Sequence, residues 1–245
     1  MRAGSKQERI RDRVLDLVES LRVGEALPSE RALSSQWRVA RMTVRAAVDE
    51  LVREGILVRR HGSGTYVAEP KVTQRPGMTS FSRDMRERGL EPGSRTLSTG
   101  TISAGARLGR RLRVSPEEEI LVFQRLRLAD GIPMALETLH VPHSLVPGLS
   151  GEDLERHSFY DLLAKQYDIT VATGVQTIEP TVTNSEESEL LDVPLHSPAL
   201  LFELSTETDT GRTAEFTRAI YRGDRYRLTV KLDANGESHG TILPR

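Results

Sequence analysis

The first part of the chain carries apolar residues at helical spacing. They recur every three or four positions, which places them on one side of a helix. The residues of this stripe are Ile10, Val14, Leu17, Val18 and Leu21. Gly24 follows them and is typical of a helix end. A first helix is therefore predicted over this stretch.

Two further helices are predicted before residue 56. A short one opens at Pro28, with Ser29 in position to cap its N-terminus. The next runs from about Arg41 to Arg53 and ends at Gly55, with its valines and leucine facing inward.

Two strand-like runs follow the third helix, at 56–60 and 65–67. They flank a glycine-rich segment, His61-Gly62-Ser63-Gly64, which is typical of a hairpin tip. Three helices followed by a hairpin predict a winged helix-turn-helix, an architecture that places its third helix in the DNA major groove.

The remainder of the chain is dominated by strand patterns. The predicted strands lie at about 94–103, 120–129, 133–141, 169–182, 199–208, 213–222 and 226–233. The predicted helices lie at about 80–88, 158–166 and 185–191, the last with an Asn184 cap. Because the strands mostly come in adjacent pairs, we expect an antiparallel sheet with helices on one face, which is an α+β domain. The whole chain is therefore predicted to be α+β.

Charge is distributed unevenly along the chain. The net charge of the 245 residues is −1, which by itself argues against a nucleic-acid partner. However, residues 1–70 carry 13 basic and 10 acidic residues, and the others carry 21 basic and 25 acidic ones. This asymmetry favours a small basic module joined to a larger acidic one.

Composition excludes several classes of site. There is no cysteine, so disulfides, thiolate nucleophiles and thiolate metal sites are excluded. No apolar run approaches the roughly 20 residues of a membrane span, and residues 1–8 lack the apolar core of a signal peptide. We therefore expect a cytoplasmic protein without a membrane partner.

The third predicted helix carries polar residues suited to DNA. Arg41, Thr43 and Arg45 lie on its first turns, the part of a recognition helix that meets base edges. Arginine can contact guanine with two hydrogen bonds, and threonine can contact a phosphate or a thymine methyl. Arg31, on the preceding helix, is placed for a phosphate. The alternative is a merely solvated helix face, which leaves the glycine-tipped hairpin unexplained.

Charged residues also recur on single faces of the predicted strands. Arg125 and Arg127 share one face of their strand, Glu137 lies on an apolar face of the next, and Glu215 shares a face with Tyr221. Such groups are costly to bury unless they meet each other or a ligand. One interpretation is a pocket for a small, charged, hydroxyl-rich molecule, and the other is cross-strand salt bridges on a solvated sheet face. The pattern alone leaves both open.

The N-terminal motifs resemble the DNA-binding domain of GntR-family transcription regulators over residues 6–68. The matching segments are Leu27-Pro28-Ser29-Glu30-Arg31-Ala32-Leu33, Arg41-Met42-Thr43-Val44-Arg45-Ala46-Ala47, Leu51-Val52-Arg53-Glu54-Gly55-Ile56-Leu57 and Gly62-Ser63-Gly64-Thr65-Tyr66-Val67. The resemblance implies DNA contacts from Arg31, Arg41, Thr43, Arg45, His61 and Gly62. Met42 departs from the family, in which many members have Thr or Ser, so one contact is expected to be missing.

The C-terminal motifs resemble the effector-binding domain of the HutC-type subfamily, whose fold is like that of chorismate lyase. They are Thr79-Ser80-Phe81-Ser82-Arg83-Asp84-Met85, Arg125-Leu126-Arg127, Gly131-Ile132-Pro133-Met134-Ala135-Leu136-Glu137, Ser158-Phe159-Tyr160, Glu215-Phe216 and Tyr221-Arg222-Gly223-Asp224-Arg225-Tyr226. The set is most similar to regulators of N-acetylglucosamine utilisation, which respond to amino-sugar phosphates.

That similarity implies a divided effector site. The phosphate ligands would be Ser82, Arg125, Arg127, Ser158 and Tyr160, with the backbone near Phe81 assisting. The sugar would meet Glu137, Glu215 and Tyr221. Related regulators answer other sugars, phosphonates or histidine-pathway metabolites, and these effectors remain alternatives. So does a constitutive DNA-binding dimer without an effector.

Taken together, the sequence predicts a homodimeric transcription regulator, a repressor, acting on a palindromic double-stranded operator. The expected domains are a DNA-binding domain at 6–69, a linker at 70–78, and an effector-binding and dimerisation domain at 79–245. An enzyme is not expected, since no nucleophile with its base is recognisable. Neither a cofactor nor a metal is expected, and His140 and His143 straddle a strand end rather than one helix face. Arg110, Arg111 and Arg113 are interpreted as a solvated helix face.

Overall fold

The chain folds into two compact units, residues 1–72 and 73–245. The computed structural model describes residues 6–60, 63–68, 72–74 and 79–228, without the side chains of residues 6 and 72–74. His61 and Gly62, both predicted to contact DNA, lie outside the described residues, as does most of the predicted linker.

The first unit is the predicted winged helix-turn-helix. Its elements are helices α1 (Lys6–Glu19), α2 (Glu30–Trp37) and α3 (Arg41–Arg53) and strands β1 (Leu57–Arg60) and β2 (Gly64–Val67). The two strands pair antiparallel, with Leu57 opposite Val67. The predicted bounds of α3 are confirmed, and so is the Ser29 cap, whose hydroxyl accepts from the amide of Ala32. The first helix ends at Glu19, earlier than predicted, because Ser20 and Leu21 turn back onto Leu17 and Val18.

A small apolar core sets the outward face of α3. Val44 and Leu51 of α3 are fully buried, with Val14 of α1 and Leu33 of α2 in the same cluster. Since positions three and four apart share a face of a helix, the residues between them point away from this core. Packing of α3 thus leaves Arg41 and Arg45 exposed.

Eight more strands follow the hairpin in the described part of the chain. They are β3 (Val72–Gln74), β4 (Pro92–Ser103), β5 (Glu119–Ala129), β6 (Ile132–Pro142), β7 (Val171–Val182), β8 (Pro198–Thr208), β9 (Thr213–Arg222) and β10 (Tyr226–Leu228). Six of them form one antiparallel sheet in the order β4-β5-β6-β9-β8-β7, which confirms the predicted antiparallel sheet. Strands β3 and β10 pair separately, so the predicted run at 226–233 begins outside the main sheet and continues beyond the described residues.

Helices cover both faces of the main sheet, so the prediction of helices on one face was wrong. The helices are α4 (Phe81–Glu87), α5 (Gly105–Leu112), α6 (Gly151–Arg156), α7 (Phe159–Gln166) and α8 (Ser185–Leu191). Helices α6 and α7 pack on the face of Phe123 and Leu139. Helix α8 packs on the opposite face, against Leu126 and Leu136, and α5 packs there against Ile120. Strands β5 and β6 are therefore buried on both sides.

The arginines near α5 are exposed, as predicted, and two of them also form ion pairs with β8. The guanidinium of Arg111 lies 2.9 Å from the carboxylate of Glu203 and 4.7 Å from the ring centre of Phe216. Arg113 pairs with Glu207 at 2.8 Å. Both arginines are nevertheless exposed, so the interpretation of a solvated face is confirmed, with ion pairs to β8 added at its edge.

The turn after β9 requires glycine. A methyl group added to Gly223 would lie 2.6 Å from the carbonyl oxygen of Pro198, a backbone atom that cannot swing away. We expect Gly223→Ala to destabilise the second unit by about 1–3 kcal/mol through overpacking. Gly100→Ala is the matched control, because nothing lies within 4 Å of the added methyl group. Urea unfolding of the two variants should separate them, and equal midpoints would contradict the assignment.

Candidate nucleic-acid interface and anion pocket

A basic groove runs between α2, α3 and the hairpin of the first unit. Five arginines line it, namely Arg31, Arg41, Arg45, Arg59 and Arg60. The groove brings together three of the residues predicted to contact DNA, Arg31, Arg41 and Arg45, and all three are exposed. Arg60 was predicted to reach the minor groove or phosphates, whereas Arg59 was not predicted as a site residue, although its place on the strand beside the hairpin tip is readable from the sequence. This convergence suits a phosphate backbone.

The first turn of α3 presents its residues without a side-chain cap. Ala40 is the N-cap residue and makes no side-chain hydrogen bond. The first backbone N–H groups of α3 are therefore not capped by a side chain and can donate to an external partner such as a phosphate. Thr43 is half-buried on this turn, and Met42 beside it is 70% exposed. Met42 therefore presents an apolar side chain where the family pattern favours a hydroxyl.

The hairpin is braced by its own side chains. The guanidinium of Arg60 lies 4.6 Å from the ring centre of Tyr66, a cation–π contact. The Tyr66 hydroxyl lies 2.5 Å from the hydroxyl of Ser63. These contacts hold Arg60 on the hairpin beside the groove.

The second unit contains a polar cleft between the main sheet, α4 and the start of α7. About 720 Å³ of space between and in front of its lining residues is free of protein atoms, a figure that includes the part open to solvent. Its lining includes eight of the nine residues predicted to bind an effector: Phe81, Arg125, Arg127, Glu137, Ser158, Tyr160, Glu215 and Tyr221. The ninth, Ser82, is buried and accepts a hydrogen bond from Arg127.

Arg125 forms a buried ion pair with Glu137. The two residues lie directly opposite each other on β5 and β6, and both are almost fully buried. Burial alone would raise the pKa of Glu137, but Arg125 and Arg127 outweigh it and hold that pKa below its ordinary value. The pair uses only one nitrogen of Arg125, and its Nε and Nη1 atoms are buried without a hydrogen-bond partner among the described residues.

Arg127 is held on three sides. It donates to Ser82 Oγ at 3.2 Å and to Ser94 Oγ at 3.4 Å, and its guanidinium lies 4.7 Å from the ring centre of Phe81. Burial, with a further contribution from Arg125, lowers its pKa to about 10, so it stays positive at pH 7. Its Nε atom and the hydroxyl of Ser158 also have no partner in the described part of the chain. Donors from both arginines and from Ser158 are therefore available in the cleft.

Glu215 is surrounded by hydroxyl groups rather than by cations. Tyr160 donates to its Oε1 atom at 2.6 Å, Thr206 donates to the same atom at 3.3 Å, and Thr217 donates to Oε2 at 2.6 Å. Burial raises the pKa of Glu215 more than the hydrogen bonds from Thr217 and Tyr160 lower it. The cleft therefore has a cationic end and a second end of polar, weakly charged groups.

Three of the aromatic rings that line the cleft pack against one another. The ring centres of Phe202 and Tyr221 are 4.5 Å apart, and those of Tyr221 and Tyr226 are 4.4 Å apart. Burial raises the pKa of both tyrosines, so they remain neutral. These residues offer ring faces and hydroxyl groups to a bound molecule.

Burial overturns one of the two interpretations of the strand charges. Arg125 and Arg127 are each 3% exposed, so the alternative of a solvated sheet face was wrong, although a cross-strand pair does form. Sequence reasoning did not select Asp84, Gln176, Phe202, Leu204, Thr217 or Tyr226, which also line the cleft. Alternation along β8 and β9 was the available signal for Phe202, Leu204 and Thr217. Asp84 and Gln176 had none, because tertiary packing brings them to the cleft.

The described residues contain neither a membrane-spanning helix nor a metal-binding cluster. No described helix is long and apolar enough to span a membrane. Within the same residues no cluster of three or more His, Asp or Glu side chains could hold a metal ion. His140 stacks on Phe216, whereas His143 lies beside Glu119.

The Arg125–Glu137 pair makes a pH-dependent contribution to stability. Because the pKa of Glu137 is lowered in the folded state, its stabilisation is present above the ordinary Glu pKa and is lost as pH falls through the lowered pKa. We expect Glu137→Gln to destabilise the second unit by about 3–5 kcal/mol at pH 7, since Arg125 is left buried and unpaired. The variant should also lose less stability on acidification.

Urea unfolding at several pH values checks this expectation. Glu179→Gln on the exposed side of β7 removes the same charge and should change stability by less than about 0.5 kcal/mol. An equal effect of the two substitutions would contradict the role of the buried pair.

Comparison with known proteins covers both units. The chain matches the family "Bacterial regulatory proteins, gntR family" over residues 6–67 and the "UTRA domain" over residues 87–227. It is 38% identical to the HTH-type transcriptional repressor NagR of Bacillus subtilis (strain 168) over 211 residues, which are 84% of this chain and 85% of that protein. It is 31% identical to the mannosyl-D-glycerate transport/metabolism system repressor MngR of Escherichia coli (strain K12), covering 90% of this chain and 93% of that one.

A solved structure has the same architecture over nearly the whole chain. The crystal structure of PhnF from Mycobacterium smegmatis superposes with a TM-score of 0.65 at 30% identity, covering 92% of this chain and 99% of that chain. These relatives are transcription regulators rather than enzymes. With the resemblance of the sequence confirmed over both units, the chain belongs to the GntR family of bacterial transcription regulators and carries a UTRA domain in its second unit.

Proposed function

We propose that the protein is a repressor whose operator affinity is controlled by a small phosphorylated amino sugar, glucosamine 6-phosphate or its N-acetyl form. The observation that carries this proposal is the set of unpartnered donors in the cleft. These are Nε and Nη1 of Arg125, Nε of Arg127 and the hydroxyl of Ser158, all buried and without a partner in the described residues. A buried donor left unpaired costs about 1–3 kcal/mol, so a ligand with acceptor oxygens is favoured there.

A phosphate group suits these donors in both charge and geometry. Two guanidinium groups and a hydroxyl can donate to its oxygens, and charge-assisted hydrogen bonds of this kind are about twice as strong as neutral ones. Ser158 is the N-cap residue of α7 and makes no capping bond, so its buried hydroxyl is left without a partner in the described residues. The helix start behind it also favours an anion.

The other end of the cleft suits the sugar. Glu215 offers carboxyl oxygens to hydroxyl or amide groups there, and Tyr160 and Thr217 already arrange their hydroxyls around it. Glu137 is paired with Arg125, so it would accept from a sugar hydroxyl next to the phosphate. The rings of Phe202 and Tyr221 offer an apolar surface to a sugar face or an acetyl methyl. A hydroxyl-rich group therefore fits this end better than a second anion, which would meet the carboxyl group of Glu215.

Repression, dimer formation and a palindromic operator complete the proposal. Repression is supported by the names of the relatives NagR, MngR and PhnF. A two-fold symmetric dimer would place its two basic grooves on half-sites about 34 Å apart, one turn of DNA. Effector contacts with Phe81 and Ser82 act on the first turn of α4, directly after the segment that joins the two units. A coupling of about 1–3 kcal/mol, or 5–150-fold in operator affinity, would be sufficient for control.

A titration distinguishes this function from its alternatives. Duplex DNA that the protein selects from a random-sequence pool serves as the operator probe. Glucosamine 6-phosphate and N-acetylglucosamine 6-phosphate are expected to change its affinity by 5–150-fold, and the unphosphorylated sugars should not. A response only to a phosphonate, another sugar or a histidine-pathway metabolite would reassign the effector. Absence of any response would favour a constitutive DNA-binding dimer.

Two substitutions should divide the functions. Arg45→Ala is expected to reduce binding to the selected DNA by about 1–3 kcal/mol per half-site while calorimetric binding of the sugar phosphate is unchanged. Arg125→Ala should leave DNA binding unchanged and weaken binding of the sugar phosphate. The expected loss is about 1.5–3 kcal/mol, the range for hydrogen bonds to charged groups.

Arg95→Ala, on an exposed position of β4, is the control for loss of a positive charge from the second unit. It should leave both affinities as they are. If Arg125→Ala retained the full effector response in a folded protein, the assignment of the cleft would be wrong.

A further inference from the structure

A carboxylate lies in the basic groove of the first unit, where a DNA partner would meet positive charge. Glu30 opens α2 and lines the groove, with its side chain 18% exposed. A negative charge at this place weakens attraction to phosphates, so its position calls for another explanation.

Glu30 contacts two of the groove arginines, one with each oxygen. Its Oε1 atom accepts from Nη2 of Arg59 at 3.0 Å, and its Oε2 atom lies 3.5 Å from Nε of Arg41. Arg59 in turn places Nη1 at 2.5 Å from Oδ1 of Asp49 on α3. The four side chains form one chain of alternating charge, Arg41-Glu30-Arg59-Asp49, which joins α2, α3 and β1.

The two arginines use different nitrogens in this chain. Arg41 faces Glu30 with its Nε atom, so its two terminal nitrogens are left for a partner, and its side chain is 64% exposed. Those terminal nitrogens can form the paired hydrogen bonds that read guanine O6 and N7. Arg59 is different, because both of its terminal nitrogens already have acid partners. Arg59 therefore links the hairpin to the two helices through its ion pairs with Glu30 and Asp49.

We propose that Glu30 is a positioning residue for DNA recognition. It holds Arg41 by the inner nitrogen so that the outer pair points at base edges, and through Arg59 it fixes the hairpin beside α3. An arginine side chain loses rotamer entropy when it is fixed, and a partner that orients it beforehand reduces that loss on binding. Glu30 thus improves discrimination between the operator and other DNA, although its negative charge weakens the attraction of the groove to DNA of any sequence. This inference rests on the proposed contact of Arg41 with the operator.

The sign of the effect separates this role from two simpler ones. Glu30→Gln removes one negative charge and so raises the net charge of the groove by one. Binding to DNA of unrelated sequence should therefore strengthen and depend more steeply on salt. Binding to the operator should nevertheless weaken, because Arg41 loses its orientation. A purely electrostatic role would strengthen both, and a purely structural role would weaken both.

The experiment compares the selected operator duplex with a shuffled duplex of the same composition, using the full chain. In Glu30→Gln the affinity ratio of the two duplexes is expected to fall about tenfold. Glu19→Gln, at the exposed last residue of α1, makes the same change in net charge and should leave the affinity ratio unchanged. Glu30→Asp keeps the charge but shortens the reach, so it should lower the ratio without strengthening the binding of shuffled DNA.

A double-mutant cycle with Arg41→Ala tests whether Glu30 acts through Arg41. In the Arg41→Ala background, Glu30→Gln should produce no further fall in the ratio. An unchanged ratio in both Glu30 variants, or an equal fall with and without Arg41, would overturn the proposal.

Arg41→Ala alone tests the underlying assumption. An unchanged affinity ratio in Arg41→Ala would show that Arg41 does not contact the operator, and the proposed role of Glu30 would then also be wrong. The outcome of the effector titration does not depend on this result. Melting curves followed by circular dichroism establish that each variant is folded. Loss of the fold in both Glu30 variants would assign Glu30 a structural role instead.

Discussion

The second unit depends on the burial of charge on one face of a β-sheet. Arg125, Arg127 and Glu137 lie on neighbouring strands and are each less than a tenth exposed. Charges can be buried only when they are paired and hydrogen-bonded. The direct opposition of Arg125 and Glu137 supplies one pair, and α4 supplies a serine and an aromatic ring to Arg127. The placement of α4 and α7 at the cleft follows from this requirement, since each brings polar groups to a charged strand residue.

The opposite face of the same sheet is stabilised in the ordinary way. Leu126, Leu136 and Ile220 form an apolar surface that α8 covers with Leu191. Hydrophobic burial on this side can hold the sheet together while the polar side stays open to a ligand. In the first unit the same separation takes another form, because Val44 and Leu51 stabilise α3 from within while its arginines remain at the surface. Residues on that surface, Met42 among them, are free to vary without loss of the core.

Sequence patterns predicted a helix or strand correctly where the element is long enough to show its hydrophobic period. Helix α3 has 13 residues and its bounds were predicted, whereas α6 has six and β3 has three, too few to show a helical or strand period. The second layer of helices was missed although β5 offered a signal. Its run from Ile120 to Phe123 is apolar on both faces, which is typical of a strand covered on two sides. Strand alternation correctly joined Arg125 and Arg127 on one face. It could not identify Asp84 or Gln176, which reach the cleft from other elements through tertiary packing.

The unpaired donors of Arg125, Arg127 and Ser158 also bear on the lifetime of the molecule. A folded domain that leaves buried donors unpaired is less stable than its packing would allow, and any anion that pairs with them stabilises the folded over the unfolded state. At a ligand concentration of about 100 times Kd this linkage is worth about 2.7 kcal/mol. Proteases act on the unfolded fraction, so an anion bound there would slow degradation of the chain. If the proposed effector binds in the cleft, the abundance of the protein, and not only its operator affinity, would follow the concentration of that effector.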